Sequence, residues 1–359
     1  MYAFLNTKSE RQSNIELLRI LSAIGVIILH YNNAGIGGGF LYVKPLSLNY
    51  FFLNFLESLC ICAVNIFILI TGYFMCTSQK RNIAKPLKLL IQLILFSMGI
   101  YFGIVIVEKV PFSFRFFVEY LIPNNYFIIL YIALYFISFY FNVLIQHLDK
   151  RQFRTMLIVL LLIFSVWNTV AYFIEEALGH ELLGLSTIGM YGSQFGYTIV
   201  NFSLMYFLGA YIRLHYDRED NKLILVGLLL LNIVVLMVCT TITDYLNSSL
   251  IDAVWAYCNP LVIFETVIIF LIFRGIKMKS HKILNFFATG TISVYLLHTS
   301  LLKYIQIEKF VTGNAFLMLV HIFISCILIY LACFIVHVAY EFIMMPIHKL
   351  IDKSKNLNL

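Results

Sequence analysis

Charge is what this sequence has least of: only 12% of its 359 residues are Asp, Glu, Lys or Arg. A soluble domain carries roughly 25%. A soluble fold of this length would lack the polar surface to cover itself, so that class is excluded. No P-loop, Gly-rich dinucleotide fingerprint, Gly-x-Ser-x-Gly elbow or zinc motif is present, which leaves soluble-type kinase and hydrolase chemistry without support. The net charge of +7 comes without a basic face or an aromatic RNA-binding motif, so nucleic acid is not expected as a partner. Cys60, Cys62, Cys239, Cys326 and Cys333 lie inside apolar stretches with no metal-ligand spacing. They read as small packing residues, and neither a disulfide framework, a metal nor a prosthetic group is expected. The polar start, Met1 to Asn14, runs into an apolar segment without a small-residue cleavage site, so no cleavable signal peptide is expected.

What is present in quantity is apolar: 61% of residues are hydrophobic and 16% aromatic. Apolar runs of roughly 20 residues, the length a helix needs to cross a bilayer, fall near 15–34, 50–75, 87–107, 126–146, 156–174, 197–212, 223–243, 253–273, 283–304 and 315–343. The expected fold is an all-α polytopic membrane protein of about ten transmembrane helices, a single domain over 1–359 with a short polar tail after about 346. Residues 177–197, rich in Gly, Ser and Tyr, fit an outer loop, an interfacial helix or a re-entrant segment.

The cations orient these spans. With both termini cytoplasmic, all but five of the 25 Lys and Arg fall on inner loops and ends; the exceptions are Lys44, Lys109, Arg115, Lys303 and Lys309. That bias, repeated loop after loop, is the positive-inside pattern. Two Trp cannot make an interfacial belt, but Tyr31, Tyr50, Tyr126 and Tyr304 sit near span ends and can.

With most charges assigned to loops, ionisable residues inside spans become candidates for function. These are Glu16, Arg19, His30, Glu57, Glu265, His298, His321, His337 and Glu341. Arg19 and His30 are eleven residues apart, about 20° beyond three full turns, so they share one helix face about 16.5 Å apart along the axis. Ser22 and Val26 lie between them on that stripe. Two readings fit the pair: a polar stripe facing a cavity, or Arg19 snorkelling to the inner interface beside Glu16 with His30 at the outer one. Depth counting places His30, Glu57 and His298 together in the outer third of the membrane, where a histidine and a carboxylate suit general-base chemistry. His298 alone equally fits a hydrogen-bonded core histidine. His321 and His337, without an evident partner, read as structural. The loop Thr77–Lys88 holds Lys80, Arg81, Lys85 and Lys88. It fits either a phosphate site or the positive-inside rule acting alone.

Four segments carry a resemblance. Asn14-Ile15-Glu16-Leu17-Leu18-Arg19 through His30-Tyr31 has an Arg, ten residues, then a His; Phe67 through Phe74 contains Thr71-Gly72-Tyr73 before the basic loop. Asn124-Asn125-Tyr126-Phe127 leads into Tyr135-Phe136-Ile137-Ser138, and Gly290 through Val294 leads into Tyr295-Leu296-Leu297-His298. In this order, over residues 14–340, they resemble the membrane-bound acyltransferase-3 family, which includes bacterial O-acetyltransferases of surface polysaccharides. Thr71 and Tyr73 stand where that family commonly has Ser and Phe, and Phe139 stands where a Pro often follows Ser138.

The resemblance implies an O-acyltransferase of the bacterial cell membrane. Its donor would be acetyl-CoA or another short acyl-CoA, and its acceptor a hydroxyl of a surface glycan or lipid-linked sugar. Arg19, Lys80, Arg81, Lys85 and Lys88 would meet the donor's phosphates. His30 would serve as base or transient acyl carrier with Glu57 as orienter, and His298 would polarise acceptor or thioester. Asn125, Tyr126 and Tyr295 would contact the acceptor. A transporter or flippase for a glycan or small molecule is the competing reading; a glycan polymerase suits the mostly short outer loops less well. Homo-oligomers are left open.

Overall fold

A computed structural model of the protein describes residues 11–180, 182–186, 194–246 and 249–353. Among them the fold is all helix, without a strand. The helices are α1 (Ser13–Asn32), α2 (Leu48–Cys60), α3 (Ala63–Met75), α4 (Ala84–Val107), α5 (Phe114–Leu121), α6 (Tyr126–Gln146), α7 (Lys150–Leu161) and α8 (Trp167–Leu178). They continue with α9 (Ile199–His215), α10 (Lys222–Tyr245), α11 (Pro260–Arg274), α12 (Lys282–Ala288), α13 (Thr291–Leu302) and α14 (Ala315–Lys353). Short turns join several of them, and a π-helical turn at Leu162–Val166 links α7 to α8.

Among the described residues, seven segments are long and apolar enough to cross a membrane: Ser13–Asn32, Leu48–Met75, Ala84–Val107, Phe114–Gln146, Lys150–Leu178, Lys222–Tyr245 and Ala315–Lys353. The protein is an integral membrane protein. The remaining expected spans fall on α9, α11 and α13, of 17, 15 and 12 residues. α11 and α13 are each cut short at a local feature. Pro260 occupies the first turn of α11, where its missing N–H is tolerated, and the Asn259 side chain caps Leu261 N, so that helix starts after 253. The 283–304 run breaks at Gly290, where a Cβ would lie 2.5 Å from the Phe334 ring. α14 continues through Pro346 to Lys353, so the tail expected after 346 is helical through Lys353. The chain's last six residues, and residues 181 and 187–193 of the 177–197 stretch, lie outside the described residues.

Burial sorts the helices into centre and periphery. Of the apolar windows of α1 and of the α2–α3 pair, 67% and 78% of residues are buried, against 22% for α4 and for α10. α1 packs on α2, α3, α12, α13 and α14, and thus forms the axis of the bundle. α3 and α9 cross backbone to backbone at two glycines. A Cβ on Gly72 would lie 2.1 Å from the Tyr206 carbonyl oxygen, and one on Gly209 2.1 Å from that of Leu69. Small residues at such a crossing let helices that have no hydrophobic drive toward each other in lipid gain close van der Waals contact.

Candidate active site

The C-terminal half of α1 carries His30 to α13, and the two sequence-predicted histidines touch. His298 Nε2 lies 2.7 Å from His30 Nδ1. His298 Nδ1 lies 2.9 Å from the Val294 carbonyl oxygen one turn back. A carbonyl only accepts, so His298 Nδ1 is protonated, and in the neutral ring Nε2 is left as the acceptor. His30 Nδ1 therefore supplies the hydrogen, shared with the Val26 carbonyl at 3.0 Å. These contacts place the lone pair of neutral His30 on Nε2, which has no hydrogen-bond partner among the described residues. His298 is 1% exposed and fixed, whereas the His30 ring keeps accessible surface.

Glu57 is near this pair in depth but does not hold either ring. Its Oε2 accepts from Asn32 Nδ2 at 2.8 Å, and the same amide donates to the Leu53 carbonyl at 3.2 Å. Asn32 is fully buried, and its Oδ1 has no partner among the described residues. The group that orients His30 is thus His298, not Glu57. Asn32 was not legible beforehand, because an amide inside a span draws no attention in a count of ionisable residues.

Tyr295 stands beside the pair, its ring 6.1 Å from that of His298. Its hydroxyl meets that of Tyr126, which also meets Tyr257. Tyr197 joins the cluster edge-on, 4.7 Å from Tyr126 and 4.8 Å from Tyr257. Tyr126 keeps 37% of its surface accessible, whereas Tyr257 is buried. Asn125 caps α6, its Oδ1 accepting from Ile128 N at 3.1 Å. Tyr257 and Tyr197 precede α11 and α9 in loops, where periodicity gave no signal.

A cavity of about 90 Å³ leads inward from Tyr295 to Arg19, past Thr71, Tyr131 and Phe127. That volume holds several water-sized groups. Arg19 makes one long contact, 3.7 Å to Glu16, and most of its donors face no acceptor. Arg19 lines this cavity and also lies beside Glu16, as the snorkelling reading expects, whereas His30, Ser22 and Val26 are not among the cavity's lining residues. Tyr131 lies one turn below Phe127 with its ring stacked 6.1 Å away, and helical register from the Asn125-Tyr126-Phe127 motif would have found it.

The basic loop divides. Arg81 is 2% exposed and turned into the protein. Its guanidinium donates to the carbonyls of Tyr135, Ser78 and Lys80 at 3.0–3.1 Å and to Ser138 Oγ at 2.9 Å. It lies over the Tyr135 ring. Asn142 ties the same loop to α6 through the Met75 and Ser78 carbonyls, both at 2.7 Å. Lys80 and Lys85 are exposed, and Lys88 pairs with Asp352 at 2.6 Å. The histidines read as structural are hydrogen-bonded: His337 to Ser293 and Thr289, His321 to Tyr31. Glu265 is fully buried with Asn232 and Cys62 as neighbours.

Comparison with curated proteins and with solved structures finds no match. A family model described as an acyltransferase domain matches residues 12–338, a stretch that takes in the imidazole pair, the tyrosine cluster, the cavity and the basic loop. The chain belongs to the acyltransferase-3 family, and its reaction class is acyl transfer at a membrane.

Proposed function

We propose that the protein is an O-acyltransferase of the bacterial cytoplasmic membrane, with ten crossings and both termini inside. It would move a short acyl group, acetyl by preference, from cytoplasmic acyl-CoA to a hydroxyl of a cell-surface polysaccharide or lipid-linked sugar. The observation that carries this reading is the cavity joining Arg19 to the tyrosine beside the His30–His298 pair. It runs from Arg19 to Tyr295, whose ring stands 6.1 Å from that of His298.

The residues fit a phosphopantetheine donor. Arg19, with donors to spare, sits at the inner end, and Lys80 and Lys85 are free to meet phosphates outside it. Thr71 and Tyr131 line the passage and can hydrogen-bond amides of the arm. At the outer end His30 Nε2 removes the hydroxyl proton of the acceptor as its oxygen attacks the thioester carbonyl. His298 accepts the Nδ1 hydrogen bond and stabilises the imidazolium that forms. Collapse of the tetrahedral intermediate breaks the carbon–sulfur bond, and the imidazolium returns its proton to the departing thiolate. The Tyr126–Tyr295 hydroxyls present donors where the acceptor sugar would lie.

The test is acyl transfer by His30→Ala and Arg19→Ala proteins that still reach the membrane, read by mass spectrometry of the surface glycan. Loss of the acyl increment in both supports the scheme. Normal acylation in both overturns it, and missing export without a change in acylation points to a transporter instead.

A further inference from the structure

On the face of α13 away from His30, a groove of about 540 Å³ opens between α4, α13 and α14. Leu95, Gly99, Gly103 and Val107 follow one stripe of α4, facing Leu297 and Leu301 of α13. Leu95 to Val107 spans about 18 Å, close to one leaflet of a roughly 30 Å hydrocarbon core. The recess exists because Gly99 and Gly103 are bare: a Cβ on either would meet nothing within 4 Å. Neighbouring positions on α4 carry large side chains, with Phe102 and Ile106 well exposed.

The groove is mostly apolar; Ser300, Lys303 and Tyr304 line one end, and Tyr340, beside Phe96, adds a buried hydroxyl farther in. At the Ser300 end Lys303 Nζ lies 2.6 Å from Glu108, which also accepts from the Tyr304 hydroxyl. Lys303 keeps 36% of its side chain exposed, leaving part of its ammonium for a second anion. Beside that ammonium the Glu108 carboxyl is held below its usual range and Lys303 above its own, so both are charged at neutral pH. In the topology proposed above, this mouth is at the outer interface. His298 lies five residues before Lys303 on the same element, about 7.5 Å along its axis. An amphiphile oriented by this groove has its tail inward and its head one to two turns outward of the imidazole pair.

We infer that the groove seats the hydrocarbon tail of a phosphate-bearing lipid that carries the acceptor sugar, with the phosphate at Lys303. This rests on the acyltransferase reading and narrows its acceptor to a lipid-linked sugar. A phosphate at the mouth complements Lys303, and the sugar beyond it can fold back over His30 Nε2. The tail converts a two-dimensional search into a positioned encounter, because its burial is realised on the same helix that fixes His298.

Gly99→Leu/Gly103→Leu puts bulk into the groove at positions where a Cβ meets nothing within 4 Å, and with better helix formers. Detergent-solubilised protein is incubated with long-chain polyprenyl phosphate or with phosphatidylglycerol and examined by native mass spectrometry. The wild type should retain the polyprenyl phosphate in preference, and the double variant should lose it; equal retention of the two lipids, or retention unchanged in the variant, overturns the inference. This readout does not depend on catalysis. Acyl transfer supplies the second. The variant should raise KM for a polyprenyl-linked acceptor about tenfold, the equivalent of one or two unburied methylenes, and leave a water-soluble analogue of the same sugar unaffected. Equal effects on both acceptors, at an unchanged melting temperature, also overturn it. Selective lipid retention without any acyl transfer by the wild type would instead sink the transferase reading and leave the groove standing.

Discussion

His298 accepts a hydrogen bond from His30 across 2.7 Å, and its other nitrogen is held by the Val294 carbonyl at 2.9 Å. This chain runs one way. Only His30 ends on a lone pair without a partner, so the two histidines have unequal roles. His30 meets the reacting hydroxyl, and His298 is a positioning residue that sets its tautomer. His30→Ala should lower kcat about 10²–10⁴-fold, the range of a general base. His298→Ala should lower kcat less with KM for both substrates unchanged, and His298→Gln, whose amide oxygen can accept from Nδ1, should recover part of the loss. The double alanine variant should be no worse than His30→Ala alone, because groups that act as a unit are not additive. A His298→Ala protein with wild-type kcat would remove His298 from the scheme.

The four cations of the 77–88 loop should separate by assay. Arg81 holds the loop to α6 through three carbonyls and Ser138, so Arg81→Ala strands buried acceptors. A loss of about 1–3 kcal/mol is expected for leaving such acceptors unsatisfied, seen as a lowered melting temperature. Lys80→Ala and Lys85→Ala remove exposed charges and should leave melting unchanged. Their effect, a few-fold each, should fall on KM for the acyl-CoA and shrink as salt is raised. An unchanged melting temperature in Arg81→Ala would contradict its structural role.

How much of this was legible in the sequence depended on which property positioned each group. Helical periodicity fixed Arg19 and His30 on one face, and depth counting brought His298 to the level of His30, because both are local along a span. Which helices touch is not local. The contact between α1 and α13 follows from how the whole bundle closes, so Glu57 at a similar depth was as good an orienter on paper as His298. The direction of Arg81 was hidden for a different reason. Loop cations all look alike to the positive-inside rule, and only the inward-lying carbonyls of Ser78, Lys80 and Tyr135 make one of them turn inward. Spans were overlength on paper at Pro260 and Gly290, where hydropathy continues but backbone geometry and the Phe334 ring do not allow a single helix.

Glycines that look equivalent in sequence should behave oppositely. Gly72→Ala and Gly209→Ala place a Cβ 2.1 Å from a backbone oxygen, and backbone cannot rotate aside as a side chain can. Each should destabilise by about 3 kcal/mol, the upper end of overpacking effects, or prevent accumulation in the membrane. Gly99→Ala meets nothing within 4 Å. It should be neutral or stabilising by about 0.5–1 kcal/mol, the helical gain of Ala over Gly. Melting of the three purified variants in one detergent checks the ordering, and a destabilised Gly99→Ala would mean that the recess beside it is not open.

The pair at the groove mouth gives the last prediction, and its sign is diagnostic. Glu108 competes with any phosphate for Lys303, so Glu108→Gln should lower KM for a lipid-linked acceptor a few-fold, while Lys303→Gln should raise it by a similar factor. A purely structural ion pair would move both variants in the same direction. The pH dependence follows from the shifts. The Glu108 carboxyl is held low by the Lys303 ammonium and the Tyr304 hydroxyl, so the pair is complete above the ordinary carboxylate value of about 4.3 and is lost as pH falls through the lowered one. Lys303 is raised by Glu108, so its side of the pair is complete below the ordinary Lys value of about 10.4 and fails only above it. Between pH 5 and 8 the KM ratio of Glu108→Gln to wild type should therefore stay flat, and it should approach one only under acid conditions that protonate Glu108. A ratio that drifts through neutral pH would show that another titrating group, not this carboxylate, governs the mouth.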